Sequence, residues 1–247
     1  MTYALTIVNL QEAMEKDGCP VCRLGHKAAV QSIDAFLWEN VNDPVVRKPI
    51  NDAYGFCPEH TRMLVAVEMS NTGPALGVNL IYELLARNVA HDLERDWSQR
   101  AATIPVLGRL FGRKDLRVLV PQSKCPICKV MEKSALNTLS DLMEEFERQP
   151  SGILQGYRES DGLCLAHVRQ ALERYGTRFP AGCDLLVQDT IHRLTQQSEQ
   201  MKAYIRKQNW EYRDEKATRE EMMAWLQTVT FFTGYPGEKF TFRVEDF

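Results

Sequence analysis

Apolar side chains recur at three- and four-residue steps along much of this chain, the mark of helices that bury one face. Leu24, Ala28, Ala29, Ile33, Phe36 and Leu37 make one such stripe. Val130, Met131, Ala135, Leu136, Leu139, Leu142, Met143 and Phe146 make a second. Pro44 and Pro49 break the first pattern, and Pro150-Ser151-Gly152 ends the second. Shorter helical runs carry Met63, Leu64 and Val67 in one region and Val168, Ala171 and Leu172 in another. Long helices are predicted from Leu76 to about Trp97, after Gly73-Pro74, and from Leu185 to about Trp210, after Phe179-Pro180. A short apolar segment, Leu226 to Phe232, is closed by Gly234-Tyr235-Pro236-Gly237. The expected fold class is all-α.

The cysteines change the picture, because they sit at the starts of these helical runs. Cys19-Pro20-Val21-Cys22 is followed, after thirty-four intervening residues, by Cys57-Pro58-Glu59-His60. Cys125-Pro126-Ile127-Cys128 is followed, after thirty-five, by Cys164-Leu165-Ala166-His167. The second set repeats the first at a displacement of 106 residues for the front pair and 107 for the back pair. Gly55-Phe56 precedes the third ligand of one set and Gly162-Leu163 that of the other. A basic then an apolar residue follows each front pair: Arg23-Leu24 and Lys129-Val130. Self-similarity at this period reads as two related halves of roughly 100 residues.

Residues at i and i+3 project from one side of a helical turn, so each pair can aim two donors at one point. Proline after the first cysteine suits a first helical turn, where its missing N–H costs nothing. The positive end of the helix favours thiolate, the form that binds metal. Three sulfurs and one imidazole make a closed tetrahedral zinc set, and their softness disfavours magnesium or calcium. Taken in chain order, the first expected site is Cys19, Cys22, Cys57 and His60, and the second is Cys125, Cys128, Cys164 and His167. Two zinc ions per chain follow, one to each half.

Other chemistries fit less well. The redox pairs of glutaredoxin-like proteins need a βαβ frame, which the helical pattern does not offer. Iron–sulfur ligation is the less favoured cofactor, because a Cys3His set is uncommon for it. Neither front pair carries the adjacent histidine of c-type haem attachment. No Gly-x-Ser-x-Gly, phosphate-cradling glycine loop or His-Glu-x-x-His is present, and no catalytic residue is assigned. Cys183, the seventh cysteine, reads as a buried free thiol. His91 and His192 read as structural. His26 falls on the wrong turn for a ligand, and Glu144-Glu145 and Glu220-Glu221 read as solvated.

Composition adds limits. The 247 residues are 44% hydrophobic and 26% charged, with a net charge of -3, so bulk attraction to nucleic acid or anionic lipid is not expected. Mean hydropathy is -0.34, and no stretch reaches the roughly 18 apolar residues of a membrane helix. With no charged leader before Lys16, a reducing, cytoplasmic setting is expected, in which clustered thiols bind metal rather than pair as disulfides. The exception to the acidic balance is Arg95 to Lys124. Seven basic residues there (Arg95, Arg100, Arg109, Arg113, Lys114, Arg117 and Lys124) face two acidic ones. That segment offers a route to an anionic partner, nucleic acid included, although a solvated connector is the favoured reading. The expected layout is residues 1–98 as the first zinc-binding half, 99–124 as a basic connector and 125–247 as the second half with a tail.

The duplicated motifs combine with a tail running Tyr204-Ile205-Arg206-Lys207-Gln208-Asn209-Trp210-Glu211-Tyr212-Arg213 and then Trp225 to Gly234. In this combination the chain resembles an uncharacterised bacterial family, domain of unknown function six thousand and sixty-two, over nearly its whole length. The resemblance implies the duplicated cysteine-rich architecture and brings no activity. Leu163 and Leu165 stand where the first copy has Phe56 and Pro58, and both ligands of that pair are kept. The functional expectation is a non-enzymatic zinc-stabilised protein that serves as a scaffold or binds a protein partner. A metal- or thiol-dependent enzyme or redox carrier, and a nucleic-acid binder acting through the connector, are the alternatives.

Overall fold

The computed structural model describes residues 2–70, 75–102, 119–148, 152–212 and 214–234. Among them are ten α-helices and no strand. We number the helices α1 (Thr2–Met14), α2 (Pro20–Ala35), α3 (Pro44–Asp52), α4 (Pro58–Ser70), α5 (Leu76–Ala102), α6 (Pro126–Arg148), α7 (Gly152–Glu159), α8 (Leu165–Tyr175), α9 (Pro180–Lys207) and α10 (Arg219–Thr233). A π-helical turn, Phe36–Asn40, extends α2. Much of the basic connector, including Arg109, Arg113, Lys114 and Arg117, lies outside the described residues, as do Tyr235-Pro236-Gly237 and Arg213.

Prolines start the helices. Pro20, Pro44, Pro58, Pro126 and Pro180 each occupy the first helical position, where a fixed φ and a missing N–H suit the geometry. Asp43 caps α3 by accepting from the Val45 N–H at 2.8 Å. Thr218 and Glu221 form a reciprocal capping box on α10. Pro49 does not end a helix, as the pattern suggested, but lies within α3. Its carbonyl accepts the Ala53 N–H at 3.2 Å, so the short helix survives one lost donor. The helix predicted from Leu76 runs on to Ala102, and the one predicted from Leu185 starts earlier, at Pro180, and ends at Lys207, short of Trp210.

The chain divides into two compact units that do not follow the halves expected from sequence. One unit is Met1–Lys27 with Glu132–Phe247, and the other is Ala28–Met131. The chain passes between them within α2 and again within α6. The first unit's core includes Leu10, Leu139, Leu142, Phe146, Tyr157 and Leu186, each fully buried. The second unit's core is smaller and includes Ala29, Ile33, Ile50, Leu64 and Ile81. Cys19 and Cys164 belong to the first core, and Cys125 belongs to the second.

Candidate metal centres

All eight expected ligands fall into two clusters, and the pairing between them is exchanged. Cys19 and Cys22 meet Cys164 and His167, while Cys57 and His60 meet Cys125 and Cys128. Within each cluster the donor atoms lie within 4.8 Å of one another. The grouping by chain order, Cys19 and Cys22 with Cys57 and His60, is therefore corrected. So is the grouping of Cys125 and Cys128 with Cys164 and His167. The physical reason is the rigidity of the helix that each front pair begins. At 1.5 Å per residue, α2 carries the chain about 20 Å from Cys22 to Ala35 and α6 about 30 Å from Cys128 to Arg148. Each helix ends in the other unit, and the next back pair is met there.

Locally the sequence sets the ligands as predicted. Cys19, Cys57, Cys125 and Cys164 each stand immediately before the first residue of a helix. The carbonyls of three of them accept the first helical hydrogen bonds: Arg23 N–H to Cys19 at 3.1 Å, Thr61 to Cys57 at 2.8 Å and Val168 to Cys164 at 2.9 Å. Two helix starts thus converge on each centre, α2 with α8 and α4 with α6. The glycine two residues before each back pair is in the left-handed region, Gly55 at φ +95° and Gly162 at φ +77°. That conformation turns the chain sharply into the ligand helix, and glycine adopts it without steric cost.

In the first centre (Cys19, Cys22, Cys164, His167), Cys22 Sγ lies 3.7 Å from Cys164 Sγ. His167 Nδ1 lies 3.5, 3.4 and 3.2 Å from the sulfurs of Cys19, Cys22 and Cys164. In the second (Cys57, His60, Cys125, Cys128), Cys57 Sγ lies 3.8 Å from Cys128 Sγ. His60 Nδ1 lies 3.0, 3.6 and 3.5 Å from the sulfurs of Cys57, Cys125 and Cys128. A tetrahedron with zinc's bond lengths has edges of about 3.8 Å between sulfurs and about 3.6 Å from sulfur to nitrogen. The donors are spaced to that scale, and the same ring nitrogen faces the sulfurs in both centres. In the second, Nε2 of His60 lies 2.9 Å from Met131 Sδ, a contact that leaves Nδ1 as the nitrogen without a proton.

The loops carrying the ligands are tied together. In the first unit the Gly18 N–H donates to Asp161 at 2.6 Å, joining the residues just before Cys19 and Cys164. Arg193 on α9 stacks on Tyr157 and donates to the carbonyls of Ser160, Tyr157 and Arg158. Its Nε is held by Asp189 at 2.5 Å. In the second unit the N–H groups of Gln122 and Ser123 donate to the Asp52 carbonyl at 2.7 and 3.2 Å, anchoring the approach to Cys125.

Crowding sulfur and imidazole shifts their protons. Burial pushes the Cys19 thiol well above its ordinary range, and hydrogen bonds to Cys164 and Cys22 add to it. Hydrogen bonds from Cys19 and then Cys22 hold Cys164 far below the thiol range, as the thiolate of the cluster. Burial pulls His167 down, but its hydrogen bonds to Cys164 and Cys22 outweigh that and leave it raised to about 9. In the second centre burial and the Cys57 hydrogen bond raise Cys128 to about 12. A thiophilic cation held by either cluster would displace those protons.

The remaining sequence candidates take structural roles. His26 and His192 are exposed, and His91 lies 3.7 Å from Asp92 on the exposed side of α5. Cys183 is a buried free thiol 4.0 Å from Met143 Sδ. Glu144 pairs with Arg148. Glu221, expected to be solvated, instead receives Lys207 at 2.7 Å in a half-buried pair while capping α10. Gly234 was anticipated only as a helix stop. It sits at φ +81°, and a Cβ there would lie 3.1 Å from Cys22 Sγ and 3.8 Å from Cys164 Sγ. No sequence signal links residue 234 to residue 22.

With the donor geometry established, the chain can be set beside known proteins. A family of unknown function (DUF6062) matches residues 1–221. The chain belongs to that family. An uncharacterized 23.9 kDa protein in the xynA 3' region of Caldicellulosiruptor sp. (strain Rt8B.4) is 25% identical over 225 residues, covering 90% of this chain and 98% of the relative. No solved structure matches the chain. For this DUF6062 member, then, two Cys3His clusters able to hold metal are the chemistry that the fold assembles. Among the described residues, no helix is long and apolar enough to cross a membrane.

Proposed function

We propose that this protein is a zinc-stabilised structural or interaction protein carrying two permanent Cys3His zinc ions, with no catalytic role for either. The observation that carries this reading is the donor set itself: three sulfurs and one Nδ1, spaced to tetrahedral edges, twice. Four protein donors leave no open position for a substrate or an activated water, which is how structural zinc differs from catalytic zinc. The surroundings support closure, since Cys19, Cys164, Cys125 and His60 are buried and Gly234 lies against the first centre. Seven free cysteines fit a reducing compartment, which we take to be the cytoplasm. A protein partner is the interaction we favour, because Trp38, Trp97 and Trp210 are largely exposed.

The test is elemental analysis with an ultraviolet–visible spectrum on protein purified without added metal. The expected result is two zinc ions per chain and no visible absorbance. A brown, iron-containing protein would transfer the reading to redox chemistry, and a folded chain with no metal would overturn it.

A further inference from the structure

The exchange of ligand pairs carries a meaning beyond metal binding. Each half of the sequence contributes its CxxC pair to one centre and its CxxH pair to the other. Half one gives Cys19 and Cys22 to the centre completed by half two's Cys164 and His167. Half two gives Cys125 and Cys128 to the centre completed by half one's Cys57 and His60. Such reciprocity, i to j and j to i, is the contact rule of a two-fold homodimer whose subunits trade an element.

The halves match as two subunits would. Each runs from a long helix begun by CPxC, through a short helix and a left-handed glycine, to a helix begun at CxxH and then a long helix. The lengths are 16, 9, 13 and 27 residues in the first half and 23, 8, 11 and 28 in the second. Buried positions repeat at the ligand displacement of 106: Val21 with Ile127, Ala29 with Ala135, Ile33 with Leu139, Phe36 with Leu142 and Leu37 with Met143. Close approaches repeat as well. A Cβ on Gly77 would meet Leu37 Cδ2 at 2.7 Å, and one on Gly182 would meet the carbonyl oxygen of Met143, the counterpart of Leu37, at 2.8 Å. The short tethers correspond too, since Gly18 N–H to Asp161 and Gln122 N–H to Asp52 each join the approach to a front pair to the approach to a back pair.

We infer that the chain is a fused dimer of two half-chains, each the binding partner of the other, with two metal ions as the clasps between them. The clasp rests on the metal reading above, whereas the exchange rests on the donor geometry. A half-chain alone holds two bidentate pairs and no complete centre, so the surface each half recognises includes the pair of donors offered by its counterpart, set in apolar cores to which both halves contribute. A cut within the connector then leaves the halves joined.

The experiment uses the full chain with a protease site inserted between Gly112 and Arg113. Before cutting, the inserted chain is analysed for metal; fewer than two ions at this stage count against the metal reading and leave the exchange to be judged by the cut. After cutting, the two pieces are expected to migrate together at the position of the uncut chain in gel filtration, with both ions retained. Removal of the metal by a strong chelator is expected to separate them. Cut pieces that part while each keeps an ion would overturn the exchange. Cut pieces that stay together after complete metal loss would overturn the ions' role as clasps.

Discussion

The two candidate metal centres have the same set of donor types and differ in what lies against them. In the first, Cys19 and Cys164 are 2% and 3% exposed, and Gly234 at the end of α10 lies against the Cys22 and Cys164 sulfurs. In the second, His60 and Cys125 are buried as well, Cys57 and Cys128 are half-buried as Cys22 and His167 are in the first, and Met131 Sδ lies 2.9 Å from His60 Nε2. The first unit has a helix, α10, packed on α8 and α9, with Phe231 against the core; among the described residues the second unit has no helix in that role. The same donor set therefore lies against the backbone of Gly234 in one unit and against a thioether in the other. Donor identity sets which ion binds, while the cover sets how readily a competing chelator reaches it.

Removing donors two at a time tests the pairing most severely. Cys22→Ser with His167→Ala is expected to lose one ion and keep the other, because both residues serve the first centre. Cys22→Ser with His60→Ala is expected to lose both. Zinc content by mass spectrometry under native conditions decides it, and the opposite pattern would restore the grouping by chain order. A structural zinc ion binds with on the order of 10 kcal/mol, so each loss should also melt the unit that held it.

Acidity gives the next largest effect. Without metal, His167 titrates at about 9 and Cys128 at about 12, so both carry protons at pH 7 and must release them on loading. The raised His167 value stabilises the metal-free fold below the ordinary imidazole value of 6.5, and that stability is lost as the pH rises through about 9. Metal binding requires the neutral ring, so affinity at the first centre climbs across the same window, by about tenfold per pH unit for each proton displaced. Zinc titration in weakly buffered solution should acidify it, and affinity that is flat from pH 6 to 9 would contradict the proton accounting.

A finer probe is Gly234→Ala. The added methyl meets Cys22 Sγ at 3.1 Å from a backbone at φ +81°. The strain is on the order of 1–3 kcal/mol, because φ +81° with ψ 178° is a region that essentially glycine alone adopts. The cobalt-substituted protein should show altered visible bands and faster chelation at the first centre, with the second unchanged. Equal response at both centres would show that cover is not what separates them.

Much of this was written in the chain. The helical stripes at Ala29–Leu37 and Ala135–Phe146 mark buried faces, and the CPxC and CxxH spacings mark helix starts that aim two donors together. The partnership between pairs was not legible, because thirty-four intervening residues give a count and not a path. Whether the chain returns depends on the straightness of α2 and α6, which only tertiary packing reveals. Helix α1 was missed because its apolar side chains, Leu10 and Met14 among them, form a weak stripe until α7 and α8 supply the core. Pro49 misled for a related reason: a helix as short as α3 survives one missing donor when its last turn is anchored by Ala53 and Ser123.

The exchanged pairing also sets an order of assembly during translation. A nascent chain completes the second centre once Cys128 has left the ribosome, but Cys22 must wait for His167, 145 residues later. At synthesis rates of about 5–20 residues per second, that wait is about 7–30 s. For that interval a two-thiol hook at the amino terminus stands open to whatever cation or thiol scavenger the surroundings supply.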